Sequence, residues 1–548
     1  MAHHSSVVRP RQLTESEHCY DMREVQARGG GDATRIEFQQ HGQDVPWLLG
    51  WWAKSRPDHT AVIWDPPNGP VQRWSYAELY RDAGRVAAGL AARGVMKGDH
   101  ILLHADNSPE FMLSWLGAGL LGAVSVTTNT RSVASELRFF IEKAKCVAAI
   151  TQPEYADLVS GAGPHLDWIA VTGAESPSVG DRFSSLLNHD KTFDGRAAEP
   201  AAPFCIMFTS GTTSRPKAVV HTHANAIWAS RNGPRNIDLG PDDRYLIYLP
   251  LFHTNAQSWS LFSVLGVGAT AVVMPKWSTS RFWEVVLRHG ITHMSFLPFC
   301  QASFGGDRPV SGLRVGVAGA LMPDSVDRFG LQIYSAFGMT ETVTHAINGK
   351  PCEPLLPGSM GRIAAGYEMA VVEQESGRRC GEGEIGELWL RGTLGIQMFL
   401  EYLDDPESNA AAFQDGWFKT GDLVELGPAG NVFYRERNND LLKVGGENVS
   451  ARQVEDVILG VPSVAEVAVV AKRHEWLDQV PVAFVVTHGE VVDKAGLERR
   501  IIESCRSSLA DFKVPRAVYF VRQFPRGTLD KILKNKLREH ADAAEPIR

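Results

Sequence analysis

Residues 207–217, Met-Phe-Thr-Ser-Gly-Thr-Thr-Ser-Arg-Pro-Lys, have the composition of an anion cradle. Thr209, Ser210, Thr212 and Thr213 bring hydroxyls, Gly211 brings an uncovered backbone N–H, and Lys217 brings a point positive charge. Such groups grip phosphate oxygens. The glycine and lysine spacing is not that of the GxxxxGK[ST] loop. A Ser/Thr-rich surface loop would carry the same letters, so the segment needs company.

Four further segments supply it. In 334–341, Tyr-Ser-Ala-Phe-Gly-Met-Thr-Glu, Phe337 beside Gly338 can stack on a purine, because glycine lets a ligand approach the backbone. Thr340 offers a hydroxyl to phosphate, and Glu341 a hard oxygen suited to Mg²⁺. The competing reading is a strand end packing Phe337 into a core. In 415–422, two tight turns present Asp422, a natural clamp for two ribose hydroxyls or an ordinary turn aspartate. In 434–448, Arg437 could hold ribose or phosphate, and Gly445-Gly446 lets a ligand pass close to the backbone; a polar linker would look similar. In 525–538, Lys531 stands on a turn before a basic helix, placed to reach a neighbouring cleft or simply solvated.

The elements that must position these groups alternate between strand and helix. A capping box at Ser75 and Glu78 opens a helix to about Arg93, a buried strand follows at 100–105, Ser108-Pro109 starts the next helix, and 123–126 is the next strand. The pattern recurs with strands at 244–249, 269–274, 292–296, 313–318 and 333–337 and a helix near 258–265. It predicts an α/β fold with parallel sheets covered on both faces. From about 361 to 434, short strands between Gly/Asp turns predict a small β-rich lobe. Beyond 440 a compact α/β unit is expected: helix 452–459, strands 464–471 and 480–487, helix 492–510, strand 517–521 and a final helix near 531–540. The expected division is a loosely ordered segment 1–44, with Gly29–Gly31 as a breaker, a large domain 45–438 and a small C-terminal domain 439–548.

A chain of 548 residues exceeds one hydrophobic core. A net charge of −8 gives no electrostatic reason to expect nucleic acid. Seven scattered cysteines with no CxxC pair argue against a disulfide framework or zinc ribbon and point to a reducing cytoplasm. The polar N-terminus reads as no signal peptide, and no apolar run is long enough for a membrane span.

In order and spacing, the five segments resemble the superfamily of adenylate-forming enzymes: acyl-CoA synthetases, peptide-synthetase adenylation domains and luciferases. The resemblance covers about residues 45–540 and is nearest to free-standing bacterial acyl-CoA ligases. It implies a two-step reaction, in which a carboxylate attacks the α-phosphorus of ATP to give acyl-AMP and pyrophosphate, and a thiol then displaces AMP. It implies nucleotide contacts from Thr209, Ser210, Gly211, Thr212, Thr213 and Lys217, from Gly319 and Ala320, from Ser335, Ala336, Phe337, Gly338, Met339 and Thr340, and from Asp422 and Arg437. Lys531 is implied as the catalytic lysine, Glu341 as the Mg²⁺ ligand, and Asn439 as the hinge about which the small domain turns. That turn would withdraw Lys531 and bring in Lys443, Gly445, Gly446 and Glu447 to shape the thiol tunnel. Departures from the family pattern are Ser214 and Ala218 in place of glycines, Asn439 in place of Asp or Lys, Phe337 in place of a common tyrosine, and Asp530 in place of glycine.

Residues 250–253, Pro-Leu-Phe-His, resemble the acyl-gate segment, with His253 at the carboxylate end. The following residues lack the aspartate that peptide-synthetase domains use for a substrate ammonium. With Thr254, Asn255, Phe296, Gly319 and Met339, the pocket implies a hydrophobic carboxylic acid; His293 or His345 could contact a polar group on it, or each be an ordinary packed or surface histidine. The implied acceptor is coenzyme A, with a free-standing carrier protein or a non-catalytic nucleotide sensor as the alternatives.

Overall fold

The computed structural model describes residues 22–544 apart from 28, 174–176, 188–192, 194, 210–215, 305–309, 323–324, 351–355, 375, 438–440, 490–492 and 526–531. Two mixed sheets with parallel centres form the bulk of the large domain. In the first, Pro203–Thr209, Val124–Thr127, His100–His104, Ala148–Thr151, Trp168–Val171 and Asp181–Arg182 run parallel, and Lys217–Thr222 and Glu401–Tyr402 add antiparallel strands at one edge. In the second, Gln332–Phe337, Val315–Ala318, His293–Ser295, Arg244–Ile247, Thr270–Val273 and Thr60–Trp64 run parallel between antiparallel edges. Their β-branched and leucine-rich runs are buried on both faces, as parallel strands require.

Helix Pro109–Leu121 lies between the sheets. Ser108 caps it by accepting from the Phe111 N–H at 3.1 Å. It is apolar all round and buried along nearly its whole length, the pattern of a helix with no solvent face. Trp115 packs against Phe204 of the first sheet and Phe262 from the second sheet's side, with ring centroids 5.1 and 5.0 Å apart. Asn107, just before the helix, donates its amide to the carbonyls of Leu249 and Met274 and accepts from the Leu251 N–H. One core therefore spans both sheets. The expected capping box is present: Ser75 Oγ accepts from Glu78 N, and Glu78 accepts from Ser75 N at 2.9 Å.

The β-rich lobe is an antiparallel sheet of Glu368–Val372, Ile385–Arg391, Trp417–Leu426, Phe413–Gln414 and Val432–Arg437. The C-terminal unit has its own sheet, Glu447–Ser450, Leu441–Val444, Asp478–Thr487, Val464–His474 and Val518–Phe520, covered by helices Ala451–Leu459 and Lys494–Ser508 around a separate core. Among the described residues, no helix is long and apolar enough to cross a membrane.

Three expectations are corrected. Within 1–44, the residues described are ordered from Met22: helices Met22–Ala27 and Ala33–Gln40 bury Val25 and Ile36 completely, against a core that includes Ile396 and Leu400. Helices of six and eight residues are too short to show a period, and Gly31 is a close contact as much as a breaker, since a Cβ there would meet Leu394 O at 2.9 Å. The helix expected near 258–265 is a π-helical segment, Asn255–Leu261, running into α-helix Phe262–Val267. The last helix is Lys534–Ala543, three residues later than expected.

Gly266 marks the tightest helix crossing. A Cβ there would lie 1.7 Å from the backbone oxygen of Ser230 in helix His223–Asn236. Gly266→Ala is expected to lower stability by about 1–3 kcal/mol through overpacking, read as a lower urea midpoint with an unchanged slope.

Candidate functional site

The carboxyl ends of the second sheet's strands, the edge of the first sheet, the β-rich lobe and one turn of the C-terminal unit surround a cleft of about 1270 Å³. Crevices outside the carboxyl ends of parallel strands are where open α/β sheets bind ligands. Thr209 and Lys217 enter it as register partners at the ends of two antiparallel strands. Ser210, Gly211, Thr212 and Thr213 connect them in sequence and lie outside the described residues. Lys217 Nζ sits 4.6 Å above the Tyr402 ring.

Strand Val315–Ala318 delivers Gly319 and Ala320 to the cleft, and the neighbouring strand delivers Ala336, Phe337, Gly338 and Met339. Ser335 does not line it; the residue is buried inside the strand, short of the end that opens on the cleft. The chain then turns through Thr340–Thr342. The His221 imidazole lies 2.7 Å from the Thr340 carbonyl; burial pushes that ring down to about 4, so it is neutral and donates there. Val343 follows at φ +63°, a left-handed backbone that a β-branched residue adopts only under constraint.

Glu341 lies at the cleft wall, 5% exposed, and accepts at Oε1 from the Tyr402 hydroxyl at 2.9 Å. Oε2 has no partner among the described residues. No group of three or more His, Cys, Asp or Glu converges as a metal cage among those residues. One open carboxylate fits Mg²⁺, which keeps waters and takes substrate phosphates as its other ligands. Bound there, the ion would neutralise phosphate charge.

Asp422 lines the cleft from the β-rich lobe, 2% exposed, with Arg437 as its register partner across the antiparallel pair. The Arg437 side chain, Asn439 and Lys531 fall outside the described residues. Phe524 and Ile532, which flank the Lys531 segment, pack on Val470, Val482 and Phe484 and are not cleft residues.

On the opposite wall, His253, Thr254, Asn255, Phe296 and Met339 line the cleft with Trp259, Leu297 and Phe299. His293 is absent from it, held between Thr292 Oγ1 and the Ile237 carbonyl. His345 is buried behind Trp259, edge-on with ring centroids 4.7 Å apart.

The C-terminal unit closes the mouth with Lys443, Gly445 and Gly446. Gly445 and Gly446 have φ +59° and +90°, backbone angles that favour glycine and close the turn tightly. Glu447 next to it meets His253, Oε2 to Nε2, at 3.1 Å. Burial alone would lower the His253 pKa, but the Glu447 carboxylate and its hydrogen bond outweigh that and raise it; Glu447, which burial alone would raise, is lowered by His253, with Arg131 and Asn129 assisting. Further contacts fix the same seam. Lys513 pairs with Glu136, both nearly buried, and Gln453 donates to the same carboxylate oxygen at 3.3 Å. Arg131 pairs with Asp511 and lies 4.6 Å over the Phe512 ring. A groove of about 800 Å³ runs along this seam, carrying Arg131, Arg506 and Arg516.

The family model described as AMP-binding enzyme matches residues 49–403, and that of the AMP-binding enzyme C-terminal domain matches 453–531. The chain belongs to the AMP-binding enzyme family. Its large domain and small C-terminal domain are those of the adenylate-forming superfamily. Among curated members of the family, a crotonobetaine/carnitine–CoA ligase from Salmonella agona is 30% identical over 503 residues, 88% of this chain and 96% of its own length. A double variant of o-succinylbenzoate CoA synthetase from Bacillus subtilis, bound to a product analogue, superposes with TM-score 0.78 at 28% identity, covering 91% of this chain and 98% of that one. The same synthetase with ATP and magnesium gives 0.64 at 27% identity, covering 89% and 98%.

Sequence reasoning missed Tyr402, Trp259 and the seam residues Arg131, Glu136 and Lys513. Tyr402 sits on a two-residue strand, Glu401–Tyr402, with no motif around it; only the sheet edge brings it to Glu341.

Two predictions follow from this geometry. Tyr402→Phe keeps the ring beneath Lys217 and removes the hydroxyl held by Glu341. Loss of a hydrogen bond to a charged group should slow pyrophosphate release about tenfold, with a higher Mg²⁺ midpoint in a titration. The His253–Glu447 tie should depend on pH. Because the His253 pKa is raised, its contribution is complete below the ordinary histidine value and is lost as pH rises through the raised one. Because the Glu447 pKa is lowered, its contribution is present above the ordinary carboxylate value and is lost as pH falls through the lowered one. Fluorescence transfer between labels on the two domains should therefore report tightest docking in weakly acidic buffer and weakening toward alkaline pH.

Proposed function

We propose that this AMP-forming acid–thiol ligase activates a hydrophobic carboxylic acid as its acyl-adenylate and transfers the acyl group to coenzyme A, in the cytoplasm. The observation that carries the thiol step is the Gly445–Glu447 turn standing in the cleft beside His253, where the reacting carbonyl end of the acid would lie. The groove at the seam, where three arginines stand beside Glu498 and Asp511, supports the choice of coenzyme A. Arg131 of the groove acts on Glu447, which holds His253 of the cleft, so a polyphosphate could rest on Arg131, Arg506 and Arg516 with its thiol arm directed toward His253. The higher TM-score against the product-analogue complex than against the ATP complex of one synthetase favours the same arrangement.

In the first step, Lys217 and the 210–215 segment would hold the phosphates, Phe337 the purine and Asp422 with Arg437 the ribose. The work is positioning and charge neutralisation rather than covalent catalysis. Rotation about Asn439 would bring Lys531 to the carboxylate and α-phosphate for adenylation and the Lys443–Glu447 segment for thioester formation. The five cysteines described are all free thiols, in keeping with a reducing compartment.

A panel of acids from short aliphatic to polycyclic tests the reading: pyrophosphate release reports the first step, and mass spectrometry of acyl-CoA the second. Pyrophosphate without any CoA thioester would move the acceptor to a carrier protein, and nucleotide binding without turnover on any acid would leave a sensor. Lys531→Ala is expected to lose adenylation while still converting supplied acyl-AMP to thioester; equal loss in both steps would refute domain alternation.

A further inference from the structure

The acid-binding wall is less apolar than its composition suggests. Asn255 stands on the π-helical segment among Trp259, Phe296, Leu297 and Met339, and its side chain is held by a buried relay. Ser295 Oγ donates to Asn255 Oδ1 at 2.9 Å, and Ser260 Oγ donates to the same oxygen at 3.5 Å. Tyr245 OH lies 3.1 Å from Ser295 Oγ. A serine has one proton to give; with that of Ser295 committed to Asn255, Tyr245 is the donor to Ser295. The chain Tyr245–Ser295–Asn255 therefore runs in one direction and occupies the amide oxygen. The Nδ2 end has no partner among the described residues and belongs to a cleft-lining side chain.

Further polar groups lie close by. Trp259 lines this stretch with its indole Nε1–H buried, and no acceptor meets it among the described residues. Both ring nitrogens of His345 behind it, and Thr344 Oγ1 beside that, are likewise buried without partners among those residues. A polar group fixed in the wall of a pocket selects for a ligand that pairs with it. A wall meant for hydrocarbon alone would not hold an amide by its oxygen.

We propose that Asn255 is a specificity residue and that the acid carries an acceptor oxygen along its hydrophobic body, received by the Asn255 amide. This rests on the ligase reading above. The acid is thus a carbonyl-, ether- or hydroxyl-bearing one rather than a plain fatty or aromatic acid. Tyr245 and Ser295 act through Asn255 as positioning residues.

The test uses matched acids in which one methylene or ring C–H is replaced by an ether, keto or hydroxyl oxygen at successive positions, with kcat/KM measured for each member of a pair in the full-length enzyme. At least one oxygenated acid is expected to exceed its hydrocarbon partner about tenfold or more. Asn255→Leu should bring that ratio close to one, and Ser295→Ala, which frees the amide to turn, should lower it part of the way. The ratio is taken within one protein, so loss of folded enzyme cancels; if Asn255→Leu does not fold, Ser295→Ala decides by the same ratio. Preference for hydrocarbon at every position, or a ratio unchanged by the substitutions, overturns the assignment while leaving the ligase intact. If no acid of either kind releases pyrophosphate, the ligase reading fails and this proposal falls with it.

Discussion

A carboxylate carried on a glycine turn of one domain meets an imidazole at the mouth of the other, and that contact ties the C-terminal unit to the cleft. Glu447 reaches His253 from a turn in which Gly445 and Gly446 take positive φ, a conformation that favours glycine. Around it the seam sets ion pairs among apolar side chains: Lys513 on Glu136, and Arg131 on Asp511 and Phe512, beside Val133, Leu509 and Val514. A nearly buried ion pair adds modest net stability while assembled, since desolvation offsets its attraction. Once parted, each charge regains water. A seam of this kind can specify an arrangement without locking it, whereas an oily one would resist separation.

The cleft is assembled from chain segments far apart in sequence, and each arrives on a different kind of support. The Thr340–Thr342 turn is the most heavily braced. His221 holds its first carbonyl, Tyr402 holds its carboxylate, and Val343 is kept in a left-handed conformation just behind it. Backbone strain persists where surroundings over-determine a conformation, and here the surroundings fix the direction of one carboxylate. Asp422 is steadied differently, by cross-strand pairing inside the β-rich lobe.

Much of this was legible in the sequence. The alternation of apolar runs with capped helices announced parallel sheets, because a buried strand leaves a continuous hydrophobic run and Ser75 with Glu78 leaves a recognisable cap. The groups expected to meet a nucleotide were readable because glycine, hydroxyl and charge fall at short spacing within single loops, and Thr209, Lys217, Phe337, Glu341 and Asp422 do face one cleft. What stayed hidden was long-range. Tyr402 and Glu341 are 61 residues apart, and Glu136 and Lys513 are 377 apart; no local pattern encodes such meetings. The two N-terminal helices escaped because each makes only about two turns, too few to show a repeat of apolar positions. His293 and His345 looked equivalent as letters, yet one is fully hydrogen-bonded into the sheet and the other lies behind Trp259 without a partner among the described residues.

The helix from Pro109 to Leu121 carries a consequence for how the large domain behaves as a body. Since Trp115 is shared by aromatic rings on both sides, neither sheet can shed its half of the interior without exposing the other's. The two sheets must melt together, as one cooperative block, and amide protons on either should exchange at the same slow limit. The small appended unit has an interior of its own, so parting it from the cleft would leave that shared core intact.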